Sequence, residues 1–336
     1  MQGLSGKFKL NLIVILLLSV ICVFIFCEYL IYYPAILRCS WPELEGDSEP
    51  GMSPLHALFL ADTHLLGAMN GHWFDKLRRE WQMERAFQTA LRLQQPEVVF
   101  ILGDIFDEGK WSSPKVCTVC GTTPSFVLVN SMAMHGDRCP VCEHVENELY
   151  NLSQALNCSM QRHWTRTMRS YCQEDMQKYP PSSSIILQHF PLYRPNDAEC
   201  TGHDAAPPEV RSQAFHERYD VLSQEASQRL LWWFQPRLIL SGHTHSACKV
   251  VHGNKHPEIS VPSFSWRNRN NPSFILGTFS PTDFQLAKCF LPEESSVVTI
   301  YCATAMVLFL LLVTHIHLSK SSMLLAASLM GKNKGL

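Results

Sequence analysis

Arg237-Leu-Ile-Leu-Ser-Gly-His-Thr-His245 is a short apolar run that stops at a glycine and two histidines one residue apart. An unbroken apolar run of this length predicts a buried strand, and Gly242 marks the point where it breaks into a loop. On a regular strand His243 and His245 would share one side; past the glycine, the loop can aim each imidazole separately. Three other runs have the same form. Ala57-Leu-Phe-Leu-Ala61 leads into Asp62-Thr-His64, Glu97-Val-Val-Phe-Ile-Leu102 into Gly103-Asp104-Ile-Phe-Asp107, and Ser184-Ile-Ile-Leu-Gln188 into His189. Strands apolar throughout are expected to be covered on both faces, and in such sheets ligands gather beyond the strand carboxyl ends. The pattern therefore predicts one sheet with carboxylates and imidazoles, donors suited to Mn, Fe or Zn, along a single edge.

The ordered series Asp-x-His, Gly-Asp-x-x-Asp, lone His, Gly-His-x-His resembles the calcineurin-like metallophosphoesterase superfamily over residues 58–245. Stretches 59–67, 101–109 and 261–274 are similar to its membrane-bound branch, which trims ethanolamine phosphate from glycosylphosphatidylinositol (GPI) anchors. The resemblance implies an α/β fold, a β-sandwich flanked by helices, and a phosphodiester hydrolase with a two-metal centre. It places Asp62, His64 and His245 on one ion, His189 and His243 on the other, and the catalytic Asp104 between them, with Asp107 shaping the loop. Two divalent ions about 3.5–4 Å apart offset the charge that makes a phosphodiester resist attack. Mixed imidazole and carboxylate donors favour Mn(II) over Mg(II). The branch also implies GPI-anchored proteins as substrates and residence at ER exit sites, the ER-Golgi intermediate compartment and the Golgi, supporting their transport.

One departure matters. The superfamily carries a Gly-Asn-His motif between Gly-Asp-x-x-Asp and the lone His; its Asn ligates metal and its His protonates the leaving oxygen. No Gly-Asn-His occurs in these 336 residues, and only 16 residues, 110–125, separate Gly109 from the next strand-like run at 126–129. An internal deletion is the simplest account. It implies impaired activity, since losing an acid/base group costs about 10²–10⁴ in rate; His135 is a distant stand-in. The alternative is a non-catalytic protein of the same fold with a binding or structural role.

A net charge of −2 gives no electrostatic footprint for nucleic acid. Apolar stretches 10–33 and 297–318 approach the roughly 20 residues needed to cross a bilayer, one at each end. A cleaved signal peptide is the other reading of the first, but no small-x-small site follows it. Lys7 and Lys9 before the first span, and Lys320, Lys332 and Lys334 after the second, place 1–9 and 319–336 in the cytosol. A linker, 34–56, and a lumenal domain, 57–290, would lie between. Lys332 and Lys334 resemble a dilysine retrieval signal read by coat or cargo-receptor proteins, or are ordinary positive-inside lysines.

Ten of the 13 cysteines fall between Cys39 and Cys289, as an oxidising lumen favours. Asn151 and Asn157 head glycosylation sequons, whereas Pro272 excludes Asn271. Cys117-x-x-Cys120 and Cys139-x-x-Cys142 also have zinc-ribbon spacing, so disulfides and zinc both remain open there. Hydrophobic periodicity predicts helices over 75–93, 145–156 and 217–234, and strands at 249–252 and 258–261. Residues 157–184 and 195–217 read as loops, and 264–271 as a polar, aromatic loop whose Arg267 and Arg269, beside Trp266, are candidates to receive substrate phosphate or glycan.

Overall fold

The computed structural model describes residues 2–45, 53–66, 72–106, 125–134, 140–160, 172, 179 and 181–332. Asp107, His135, Cys117, Cys120, Cys139 and most of the shortened stretch 110–125 lie outside the described residues. Two compact units divide the chain: Met1–Ile31 with Pro292–Leu336, and Tyr32–Leu291.

In the first unit, α1 (Gln2–Ile25) continues through a π-helical turn (Phe26–Leu30), and α8 (Glu294–Lys332) is a long apolar helix. Leu12–Ile36 and Glu294–Ser321 are each long and apolar enough to cross a membrane. The Glu28 carboxylate accepts a 2.6 Å hydrogen bond from the Tyr301 hydroxyl. An acidic group inside an apolar span is tolerated when it is partnered in this way.

The second unit begins with α2 (Tyr32–Ile36) and holds two sheets. One has the order β2-β1-β8-β9, built from β1 (Leu55–Leu60), β2 (Val98–Ile101), β8 (Ser273–Phe279) and β9 (Phe284–Phe290). The other, β3-β4-β5-β7-β6, contains β3 (Phe126–Val129), β4 (Ile185–Gln188), β5 (Leu238–Ser241), β6 (Cys248–His252) and β7 (His256–Ser260). The four ligand-bearing strands are therefore split, β1 and β2 in one sheet and β4 and β5 in the other. This corrects the single sheet expected from the apolar runs. Apolar runs report burial and say nothing about which strands pair.

Strand periodicity explains how both faces are filled. Ile185 and Leu187 of β4 and Leu238 and Leu240 of β5 meet Ala57, Phe59, Ile275 and Phe279 between the sheets. Ile186 and Ile239 point the other way, onto α5 (Pro140–Met160) and, after the short α6 (Pro208–Arg211), α7 (Gln224–Phe234), through Leu149, Leu156, Leu230 and Phe234. Phe59 is fully buried and its ring lies 5.3 Å from Phe100 and 5.7 Å from Phe279. Such a side chain contributes on the order of 3–5 kcal/mol by the usual cost of Phe→Ala.

β1 and β2 are parallel neighbours joined by α3 (Trp73–Asp75), a π-helical turn (Lys76–Glu80) and α4 (Trp81–Gln94), a β-α-β unit that contains the helix expected over 75–93. α7 starts later than expected. Ser223 caps it by accepting from Ala226 N, while 217–221 form a tight turn closed by Arg218 N to Val221 O. Among the described residues β2 stands at the edge of its sheet, and Ile101 is 41% exposed. Disulfides Cys39–Cys289 and Cys200–Cys248 tie loop segments to β9 and β6, and Cys158–Cys172 joins α5 to Cys172. Cys142 is disulfide-bonded too, which removes it from any zinc site. The stretch expected as a linker is docked in its first part: Trp41 stacks on His56 at 4.5 Å and donates to Gln94 O.

Candidate metal centre

Each predicted ligand follows directly on a strand end, and the loops that carry them are held in costly backbone conformations. Asp62 (φ 52°), His64 (47°), Asp104 (38°), His243 (69°) and His245 (57°) all occupy the left-handed region. A non-glycine residue there costs on the order of 1–3 kcal/mol and persists only where its surroundings over-determine it. Hydrogen bonds do so here. Leu102 N donates to Leu60 O, His64 N to Asp104 O, and Gly242 N to His189 O, all at 2.8–2.9 Å, lacing the four loops to one another.

The outcome is two adjoining sets of donors. Asp62, His64 and His245 form one group; Asp104, His189 and His243 form the other. His64 Nε2 lies 3.0 Å from His245 Nε2, and His189 Nε2 lies 3.1 Å from His243 Nδ1. Two nitrogens about 2.1 Å from one ion, at right angles, would stand about 3.0 Å apart. Asp104 Oδ2 is 3.5 Å from His64 Nε2 and 3.3 Å from His189 Nε2, so one oxygen faces both groups. His189 is oriented by Nδ1 against Leu102 O at 2.9 Å, and His243 by Nε2 against Tyr219 O at 2.8 Å. These contacts fix which nitrogen is left for a metal.

The electrostatics fit a cation. Asp62 is fully buried, and burial pushes its carboxyl up to about 7, although His189 and the His243 N–H oppose the shift. A hydrogen bond with His189 holds Asp104 below the usual carboxylate range. Burial would lower His189, but its bond to Asp104 and the charge of Asp62 carry it above the ordinary imidazole value. Burial and His189 lower His243; burial and His64 push His245 down to about 4. His243 and His245 are thus neutral donors at pH 7, while Asp62 and His189 would give up a proton to a bound cation. Metal uptake at pH 6.5 is expected to release on the order of one proton, fading by about pH 8 where Asp62 is already ionised. Calorimetric titration with Mn(II) in buffers of different ionisation enthalpy reads this; equal heats in all buffers at pH 6.5 would contradict it.

The loop 261–271 also belongs to the site. Ser263 Oγ donates to Asp62 O at 2.7 Å and Asn268 Nδ2 to the same oxygen at 3.2 Å. Arg269 Nη1 donates to His245 O at 2.9 Å and to Ser246 Oγ at 2.7 Å, and Arg267 Nη1 to His64 O at 3.4 Å. Both arginines, expected to face substrate, are directed at the backbone carbonyls of ligand residues. Ser263 and Asn268 were not singled out in the sequence, although both lie in the stretch 261–274 that resembles the membrane-bound branch. Asn151 and Asn157 lie exposed on α5, away from these loops in sequence, and Asn157 Nδ2 donates to Trp233 O. Asp104 and His245 are 37% and 35% exposed, so the centre is open on their side. The third cluster, Asp197 with Cys200 and Cys248, is closed to metal by its disulfide.

The family model described as calcineurin-like phosphoesterase matches residues 55–247. Metallophosphoesterase 1 of Danio rerio is 49% identical over 380 positions, covering 97% of this chain and 98% of that protein. Metallophosphoesterase 1 of Ailuropoda melanoleuca is 52% identical, covering 94% and 92%. Because 380 aligned positions exceed the 336 residues present, at least 44 positions of the Danio rerio alignment have no residue in this chain.

Proposed function

The chain belongs to the calcineurin-like phosphoesterase family, hydrolases of phosphoesters, and from that premise we propose that it descends from a metal-dependent phosphodiesterase which removes ethanolamine phosphate from GPI-anchor glycans. The observation that carries the phosphodiesterase reading is the convergence of six donors from four strand ends on two adjoining positions that share Asp104. Asp62, His64 and His245 would hold one divalent ion, His189 and His243 the other, with Asp104 between; Mn(II) is the ion these donors favour. Bound there, the ions supply Lewis acidity that acidifies water and offsets charge on phosphoryl oxygens. The chain's own residues do the rest: Arg267, Arg269, Ser263 and Asn268 hold the ligand loops in register, and the exposed side of Asp104 leaves room for a substrate.

The GPI substrate is supported by the likeness of 59–67, 101–109 and 261–274 to that branch and by the two apolar helices, which suit a lipid-linked substrate. The early secretory pathway, a lumenal domain with both termini cytosolic, and coat or cargo-receptor contacts through Lys332 and Lys334 rest on the same likeness and on the lysine distribution. Glycans at Asn151 and Asn157 accord with their exposure. We further propose that this particular chain is impaired. The missing Gly-Asn-His and the unmatched alignment positions support that, as does the exposed edge strand β2, which precedes the shortened stretch. A second reading, a non-catalytic protein of the same fold, is favoured by the same omission.

The test is hydrolysis of bis(4-nitrophenyl) phosphate by the purified full chain with Mn(II). Residual turnover that drops by about 10² or more in Asp104→Ala supports the enzyme. Turnover no higher than in that variant, while circular dichroism shows both folded, supports the second reading.

A further inference from the structure

An apolar ridge at the start of the helical segment that follows the first ligand loop has no part in the donor set. Trp73, Phe74 and Leu77, at the start of the helical segment 73–94, are 67%, 50% and 62% exposed. Single exposed apolar residues are ordinary, but three large ones on adjacent turns mark an interaction surface. A tryptophan and phenylalanine beside lysine and arginine are what a bilayer interface accommodates, since the rings sit at headgroup depth.

Contacts inside the domain mark where the two apolar spans join it. Tyr32, the domain's first residue and part of the first apolar span, faces Trp266 at 6.5 Å. Arg78, directly after Leu77, lies over that same Trp266 ring at 5.3 Å. The Cys39–Cys289 disulfide then joins the segment leaving the first span to the strand leading into the second, so both connections leave the domain from one side. The ridge is also coupled to the metal centre. Glu80 accepts from Leu66 N on the first ligand loop, and Gln82 bridges Phe264 O and Trp266 N on the loop that clamps Asp62.

We propose that Trp73, Phe74 and Leu77 insert into the interface of the bilayer in which the chain is anchored, presenting the metal centre to substrates carried in that membrane. Lys76 and the Asp75–Arg79 ion pair leave the local charge near balance, so zwitterionic lipid suffices. Insertion does not depend on the phosphodiesterase reading; only the activity arm of the test does.

The full chain in phosphatidylcholine nanodiscs is compared with Trp73→Phe, and the difference emission reports Trp73 alone. Lipid brominated on its acyl chains is expected to quench that difference signal by about half, with weak quenching by aqueous acrylamide. Quenching by acrylamide alone means the ridge is solvated and overturns the proposal. Protection from both quenchers means a protein partner, such as a second copy, covers it, and overturns it equally. Leu77→Asp, at an exposed position, is expected to restore acrylamide access to Trp73 and to lower turnover of a membrane-borne diester about tenfold while leaving a water-soluble diester unaffected. Absence of turnover on both diesters would count against the activity reading, while the fluorescence still decides the ridge.

Discussion

Gly103→Ala is expected to empty the second metal position and to abolish hydrolysis while Gly253→Ala leaves both intact. Gly103 has φ +84°, and a Cβ there would stand 2.5 Å from His189 Cγ and 2.8 Å from its Cβ. No real Cβ tolerates that approach; turning the ring cannot relieve the clash with His189 Cβ, so the strand end must shift and carry the imidazole with it. It then loses Leu102 O, Asp104 and His243 together. Removing an imidazole from a three-donor set, with its orienting contact, costs well over the 10–100-fold typical of an outer-shell loss. Gly253 shares the positive φ, at +56°, but a Cβ there meets nothing within 4 Å. That variant carries only the backbone strain of an alanine, on the order of 1–2 kcal/mol. Metal content by mass spectrometry of the folded proteins separates the two cases. Two ions retained in Gly103→Ala would show that His189 does not hold metal.

The other large effect runs in the opposite direction. Inserting the superfamily's Gly-Asn-His segment between Gly109 and β3 is expected to raise turnover by about 10²–10⁴. The reasoning is chemical: the poor leaving alkoxide of a phosphodiester needs a proton as the bond breaks. Within the ligand set, His243 and His245 are neutral at pH 7 and face the metal positions, so neither has a proton to give. The insertion would also cover the open edge of β2, so thermal stability should rise with activity. Asp104→Ala in the extended protein should return turnover to background. An extended protein that is folded and metal-loaded but no faster than the shorter chain would show that the omission is not what limits catalysis.

The sequence by itself pointed to the six donors that the structure brings together. Asp62, His64, Asp104, His189, His243 and His245 were legible because each stands where an apolar run ends, and strand ends are where a buried chain next meets solvent. The glycines at 103 and 242 were legible as breaks, and the terminal apolar spans by length alone. Only the tertiary structure decided that the ligand strands belong to two sheets, because pairing is a long-range choice that a periodicity of two does not record. It also decided that Ser263, Asn268, Arg267 and Arg269 clamp the carbonyls of Asp62, His64 and His245. A backbone carbonyl is the same at every position of a sequence, so a partner that recognises one leaves no signature until the chain has folded.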